Sequence, residues 1–166
     1  MTEDTEPLSL ARASENLLEE CRTVVPGIQG LFGFQLIVVF TEAFDRKLNQ
    51  SERIVHVISL CLVVVSLICI MTPAAYHRMT GPREATGRFI VVSTRLLLVS
   101  MAALGVAIPL DAYLVARVVL GPALGLALAG LLLILFAILW YAFPWASAQR
   151  KQRERMRTVA SAGTAR

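Results

Sequence analysis

The hydrophobic pattern of this chain is drawn by where charge is missing. From Arg22 to Glu42 no residue is charged, and residues 24–40 are nearly all apolar. Between Arg53 and His77 only His56 and the thiols of Cys61 and Cys69 can titrate, in a run crowded with β-branched residues (Val63, Val64, Val65, Ile68, Ile70). In water such a run reads as a buried strand, but at this length a helix in lipid accounts for it better. Between Arg88 and Asp111 the one interruption is Arg95, and between Arg117 and Arg150 there is none. A helix needs about 20 apolar residues to cross roughly 30 Å of hydrocarbon. The pattern therefore predicts helices near 24–44, 54–76, 88–110 and 120–145.

The connections support this division. Asp45 to Glu52 reads as a polar turn, with Ser51 placed to cap the second helix. Thr80-Gly81-Pro82-Arg83 breaks the chain again, and Pro109 with Gly121-Pro122 brackets the third connection. Links this short make sequential helices antiparallel neighbours. The expected fold is all-α: a four-helix transmembrane bundle over residues 23–146, with an amphipathic N-terminal segment (1–22) and a basic C-terminal tail (147–166). Leu10, Ala13, Ser14, Leu17, Leu18 and Cys21 recur at helical spacing, which suits a helix lying on the membrane surface. Glu3, Asp4 and Glu6 stand where a signal peptide carries positive charge.

Composition sharpens the class. Of 166 residues, 56% are apolar and 17% charged, with a mean hydropathy of +0.64. Soluble domains run nearer 45–50% and about 25%. An ordinary water-soluble enzyme is thereby disfavoured, and no nucleophile–base pair, metal set or phosphate loop is legible, so no enzyme, cofactor or metal is expected. Three cysteines without a C-x-x-C pair argue against disulfide, thiol-redox and zinc chemistry. Lys47 and Lys151 are the only lysines in an Ala-, Leu-, Val- and Arg-rich chain, a composition associated with high-GC bacteria.

Charge also sets an orientation. With four spans, the side holding both termini carries 11 Lys/Arg against 4 on the other, which predicts a multi-pass protein of the cell membrane with cytoplasmic ends. The cations of the run Arg150–Arg157 follow directly on the last span and suit anionic lipid headgroups better than nucleic acid. Trp140, Tyr141 and Trp145 precede that run as an aromatic belt.

The polar residues within the spans are the candidate chemistry. Arg95 lies seven residues after Arg88, about 10 Å deep by helical rise. It reads either as an ion-pair or substrate site or as a structural clamp, with Glu19 or Glu20 as partner and Glu84 as the alternative. Gln29 and Gln35 sit among Gly27, Gly30 and Gly33, which fits a bundle-interior helix or a lining for water or an ion. His77 beside Tyr76 is a proton-path residue or an interfacial anchor. His56 lies at the other end of that helix, about 30 Å away, so the two share no metal within one subunit. Glu42 falls at the outer end of helix one, and Asp111 ends helix three on the same side. Gly121, Gly125 and Ala129, with Gly130 beside them, form a small-residue ladder for packing within the subunit or in a homo-oligomer.

Glu20-Cys21-Arg22, the segment Pro26-Gly27-Ile28-Gln29-Gly30-Leu31-Phe32-Gly33-Phe34-Gln35, Pro73-Ala74-Ala75-Tyr76-His77-Arg78 and Arg95 together resemble a family of small, mainly actinobacterial four-helix membrane proteins of uncharacterised function. The likeness covers about residues 15–115. Some members are loosely labelled sodium:proton antiporter, which implies a transport role. The family pattern singles out Glu20, Arg22, Gln29, Gln35, His77 and Arg95, most of them toward the cytoplasmic half, as a cytoplasm-facing polar cluster. Two functions are thus expected: a proton or small-cation transporter or channel subunit, gated by Glu20, Arg22, Arg95 and His77 and lined by Gln29 and Gln35, or a non-transporting scaffold or regulator.

Overall fold

A computed structural model describes residues 10–80, 87–145 and Gln149, and the elements within them are helices. In chain order these are α1 (Leu10–Val38), α2 (Glu42–Lys47), α3 (Gln50–Thr80), α4 (Gly87–Leu120) and α5 (Pro122–Ala137), which continues through a π-helical turn at Ile138–Ala142. Four stretches are long and apolar enough to cross a membrane: Glu15–Val38, Gln50–Met79, Arg88–Leu120 and Pro122–Trp145. The all-α class and the number of spans are those the sequence predicted. Their limits are not.

The helix of the first span starts at Leu10, so residues 10–22 are its opening turns and not a separate element. Residues 1–9 lie outside the described ones, as does the tail from 147 apart from Gln149. The helix also stops early, at Val38. The Thr41 hydroxyl donates to the Val38 carbonyl (2.7 Å) and accepts from the Phe44 amide (3.4 Å), so it closes α1 and caps α2. The cap of α3 is Asn49 where Ser51 was expected. Asn49 Oδ1 accepts from the Glu52 amide at 3.0 Å, while Glu52 Oε2 accepts from the Asn49 amide at 2.9 Å. This reciprocal box needs a carboxylate or amide three residues on, and Ser51 has Ile54 there.

The third span does not end near residue 110. Pro109 lies inside α4, and the helix runs on to Leu120. A proline is tolerated there because neighbouring groups can satisfy the freed backbone. The connection to α5 is Gly121 alone, at φ +94°, with Pro122 as the first helical residue of α5. That φ requires glycine.

Packing follows a period of 3.5. On α3 the buried residues are Glu52, His56, Ser59, Val63, Ser66, Ile70 and Pro73, alternately four and three apart. Such spacing is the seam of a left-handed helix pair. On α4 Phe89, Ser93, Ser100, Leu104, Ala107 and Leu114 follow the same repeat, with Ala103, Gly105, Pro109 and Ala116 buried beside them, while α1 contributes Cys21, Ile28 and Gln35, each seven apart. Small side chains let the backbones approach, and Ser66 and Ser100 bond across the α3–α4 seam at 2.7 Å. The outer surface is apolar instead, with Ile68, Val99, Leu126 and Leu131 all exposed. The bundle is open: α3 packs along α4, α1 lies mainly on α3, and α5 packs along α4. Trp140 links α5 to the core, ring to ring with Phe136 at 4.6 Å.

Candidate functional site at the α1–α3–α4 end

The buried polar groups gather at the end of the bundle that carries α2 and the Gly121 turn. Gln35 is only 4% exposed. Its Nε2 donates to Asp111 Oδ2 at 2.6 Å and to Ser59 Oγ at 3.0 Å. The Ser59 hydroxyl in turn donates to the Ala107 carbonyl at 3.1 Å. His56 Nε2 lies 3.1 Å from the Gln35 carbonyl, and since a carbonyl only accepts, that nitrogen carries the hydrogen. Gln35 Oε1 is buried and has no partner among the described residues.

Asp111 is the group that sequence reading misplaced. Because α4 continues to Leu120, the carboxylate sits about 14 Å inside the end of its helix by rise. Among the described residues no Lys, Arg or His forms an ion pair with it. The nearby cations are engaged elsewhere. Arg117 pairs with the buried Glu52 and also donates to the Lys47 carbonyl at 3.3 Å. Arg53 meets Asp45 through its carboxylate (3.3 Å) and its carbonyl (2.8 Å). Arg53 also stands over the Phe44 ring at 5.7 Å, and Phe44 in turn meets His56 edge-on at 5.3 Å. The short helix α2 is thereby held down over His56.

Beneath α2, between α1 and α4, opens a cavity of about 400 Å³. Phe34, Val38, Phe44, Leu114 and Val118 wall it, and Gln35, His56 and Asp111 supply polar groups to its lining. A half-buried carboxylate bonded to an amide, with no Lys or Arg paired to it among the described residues, can accept a proton or a cation, and ionisable groups at membrane depth mark such pathways.

The cluster expected in the other half does not assemble among the described residues. Glu20, Arg22, Gln29 and Arg95 are all exposed, and no ion pair among the described residues joins Arg95 to Glu19 or Glu20. Glu84, the alternative partner, lies outside the described residues. His77 is half-buried with its ring 5.8 Å from that of Phe89, on which Tyr76 also stacks at 5.7 Å. Of the six residues singled out, Gln35 alone enters a buried network. The reason is angular: Gln35 is seven residues past Ile28 on the α1 seam, whereas Gln29 is one step, about 100°, off it. Among the glycines, Gly27, Gly30 and Gly33 face open space. At Gly125 an added Cβ would stand 3.0 Å from the Arg117 backbone. Glu42, at the mouth, is exposed and pairs with Arg46 at 3.3 Å. Tyr141 of the aromatic group donates to the Leu98 carbonyl at 3.2 Å. The three cysteines are free, and Cys21 lies in the core.

Sequence reading passed over Ser59, Ser66, Ser93 and Ser100. Their signal was present as two serine pairs, each seven residues apart. Asn49-x-x-Glu52 was likewise legible as a capping box.

A model of a family of unknown function, DUF6328, matches residues 3–144. The chain belongs to this family. The four spans lie within the matched region apart from Trp145, and so do Gln35, His56, Ser59 and Asp111, whereas the basic run at Arg150–Arg157 falls outside it. No curated protein and no solved structure matches the chain.

Proposed function

We propose that this protein is a transporter or channel subunit for protons or small cations, with the Gln35–Ser59–Asp111 centre and the adjoining His56 as its ion-handling group. The observation that carries this reading is Asp111: a carboxylate well inside a membrane-spanning helix, hydrogen-bonded by Gln35 and facing a cavity. Such a group is costly to keep unless it serves a purpose. The Lys/Arg bias supports cytoplasmic ends in a bacterial cell membrane, which puts this centre in the outer half. The basic tail then meets anionic lipid, not nucleic acid, and the role is not enzymatic.

The test is flux from proteoliposomes across a range of pH and sodium concentration. Gradient-driven flux is expected to fall at least tenfold in Asp111→Asn and to change little in Arg95→Leu. Wild-type protein that moves no ion but co-purifies with a specific protein would replace this reading with the scaffold role.

A further inference from the structure

The cavity beneath α2 offers more than a proton or a bare ion uses. We propose that it binds an amphiphilic organic ammonium ion, with the cationic head on Asp111 and Gln35 Oε1 and the hydrocarbon part along Phe34, Val38, Leu114 and Val118. The inference rests on Asp111 being the cation site named above.

Three observations converge on this ligand. First, both donors of the Gln35 amide are spent, on Asp111 and Ser59, while its buried Oε1 is unmet. That acceptor calls for a donor, and a primary ammonium brings three N–H groups, enough for Oε1 and the Asp111 carboxylate together. A calcium-like metal ion would want roughly six or more oxygens, more than Oε1, the Asp111 carboxylate and Ser59 Oγ, which already accepts from Gln35 Nε2, supply. Second, no Lys or Arg among the described residues pairs with Asp111, because Arg117 and Arg53 are held by Glu52 and Asp45; the imidazole of His56 shares the cavity with it.

Third, the volume of about 400 Å³ is that of a small-molecule site, and its walls are apolar. A lone ion leaves most of that space unfilled, and a lipid tail leaves Oε1 and the carboxylate unmet. Phe34, Val115 and Val119 at the rim are 70%, 66% and 72% exposed on spans that face hydrocarbon. An amphiphile dissolved in the bilayer therefore reaches the cavity sideways.

The test uses the whole protein in nanodiscs of zwitterionic lipid, titrated calorimetrically with hexylammonium chloride. Ammonium chloride, sodium chloride and hexanol serve as the separate parts of the ligand. Saturable hexylammonium binding is expected, with affinity rising about tenfold for every two methylenes from butyl to hexyl. Hexanol should bind far more weakly. Asp111→Asn should cost at least tenfold, and Val118→Phe, which fills the wall, should erase the gain from added methylenes.

Ammonium or sodium binding that depends on Asp111, with no gain from the hexyl chain, overturns this inference and leaves the cation site standing. Hexylammonium uptake indifferent to both substitutions is partitioning into lipid and also overturns it. Should no cation bind at all, the proposed function falls with it. If Asp111→Asn does not fold, the Val118→Phe series decides alone.

Discussion

His56 and His77 occupy the same seam of α3, three heptads apart, yet their surroundings differ. His56 is buried, bonded to the Gln35 carbonyl and covered by Phe44, in a neighbourhood where Glu52, Ser59, Asp111 and Arg117 also find partners. His77 is half-buried against the Phe89 ring, and the polar groups of that half, Glu20, Arg22, Gln29 and Arg95, point outward from their helices. Polar residues thus build a network at one end, while those named at the other build none among the described residues. What separates them is direction around the helix, which counts for more than depth.

Substitutions can break or sharpen that contrast. The largest effect is expected for Glu52→Ala, which strands the guanidinium of Arg117 and opens the α3 capping box; the loss should be about 3 kcal/mol or more, read from unfolding in mixed micelles. If it matched a surface change, the network would contribute nothing and the contrast would be empty. Gly125→Val comes next, because its Cβ meets the Arg117 backbone; roughly 1–3 kcal/mol should be lost, whereas Gly30→Val, facing open space, should be tolerated in the same assay.

Ser66→Ala removes half of a single buried bond and should cost about 1 kcal/mol or less. A double-mutant cycle with Ser100→Ala checks it, and zero coupling would take the serines out of the account. The smallest change belongs to Arg95→Leu, within about 0.5 kcal/mol in unfolding and with membrane insertion intact or improved. Collapse of the fold on that substitution would mean that a buried ion pair had been removed.

The spans were legible because lipid thickness fixes their length, and stretches of that length without charge are conspicuous. Their ends were not, and Asp111 shows why. A charge was equated with water and so with the end of a helix, whereas here the carboxylate is hydrogen-bonded within the protein and α4 continues past it. Pro109 misled in the same direction.

The site was legible only in Gln35. In water, polar residues mark the outward face, so the inward face stands out by contrast. In lipid both faces are apolar, so the seven-residue spacing of Ser59 with Ser66 and of Ser93 with Ser100 stood among leucines and valines that mark no face. Asp111 and Gln35 are 76 residues apart in the chain, and nothing local announces their meeting.

Gly121 has a consequence for how the last two spans can move. Two long spans joined by one residue have no slack between them, so a vertical shift of α4 is handed directly to α5. A side chain at this position strains the φ of +94° on which that rigid coupling depends.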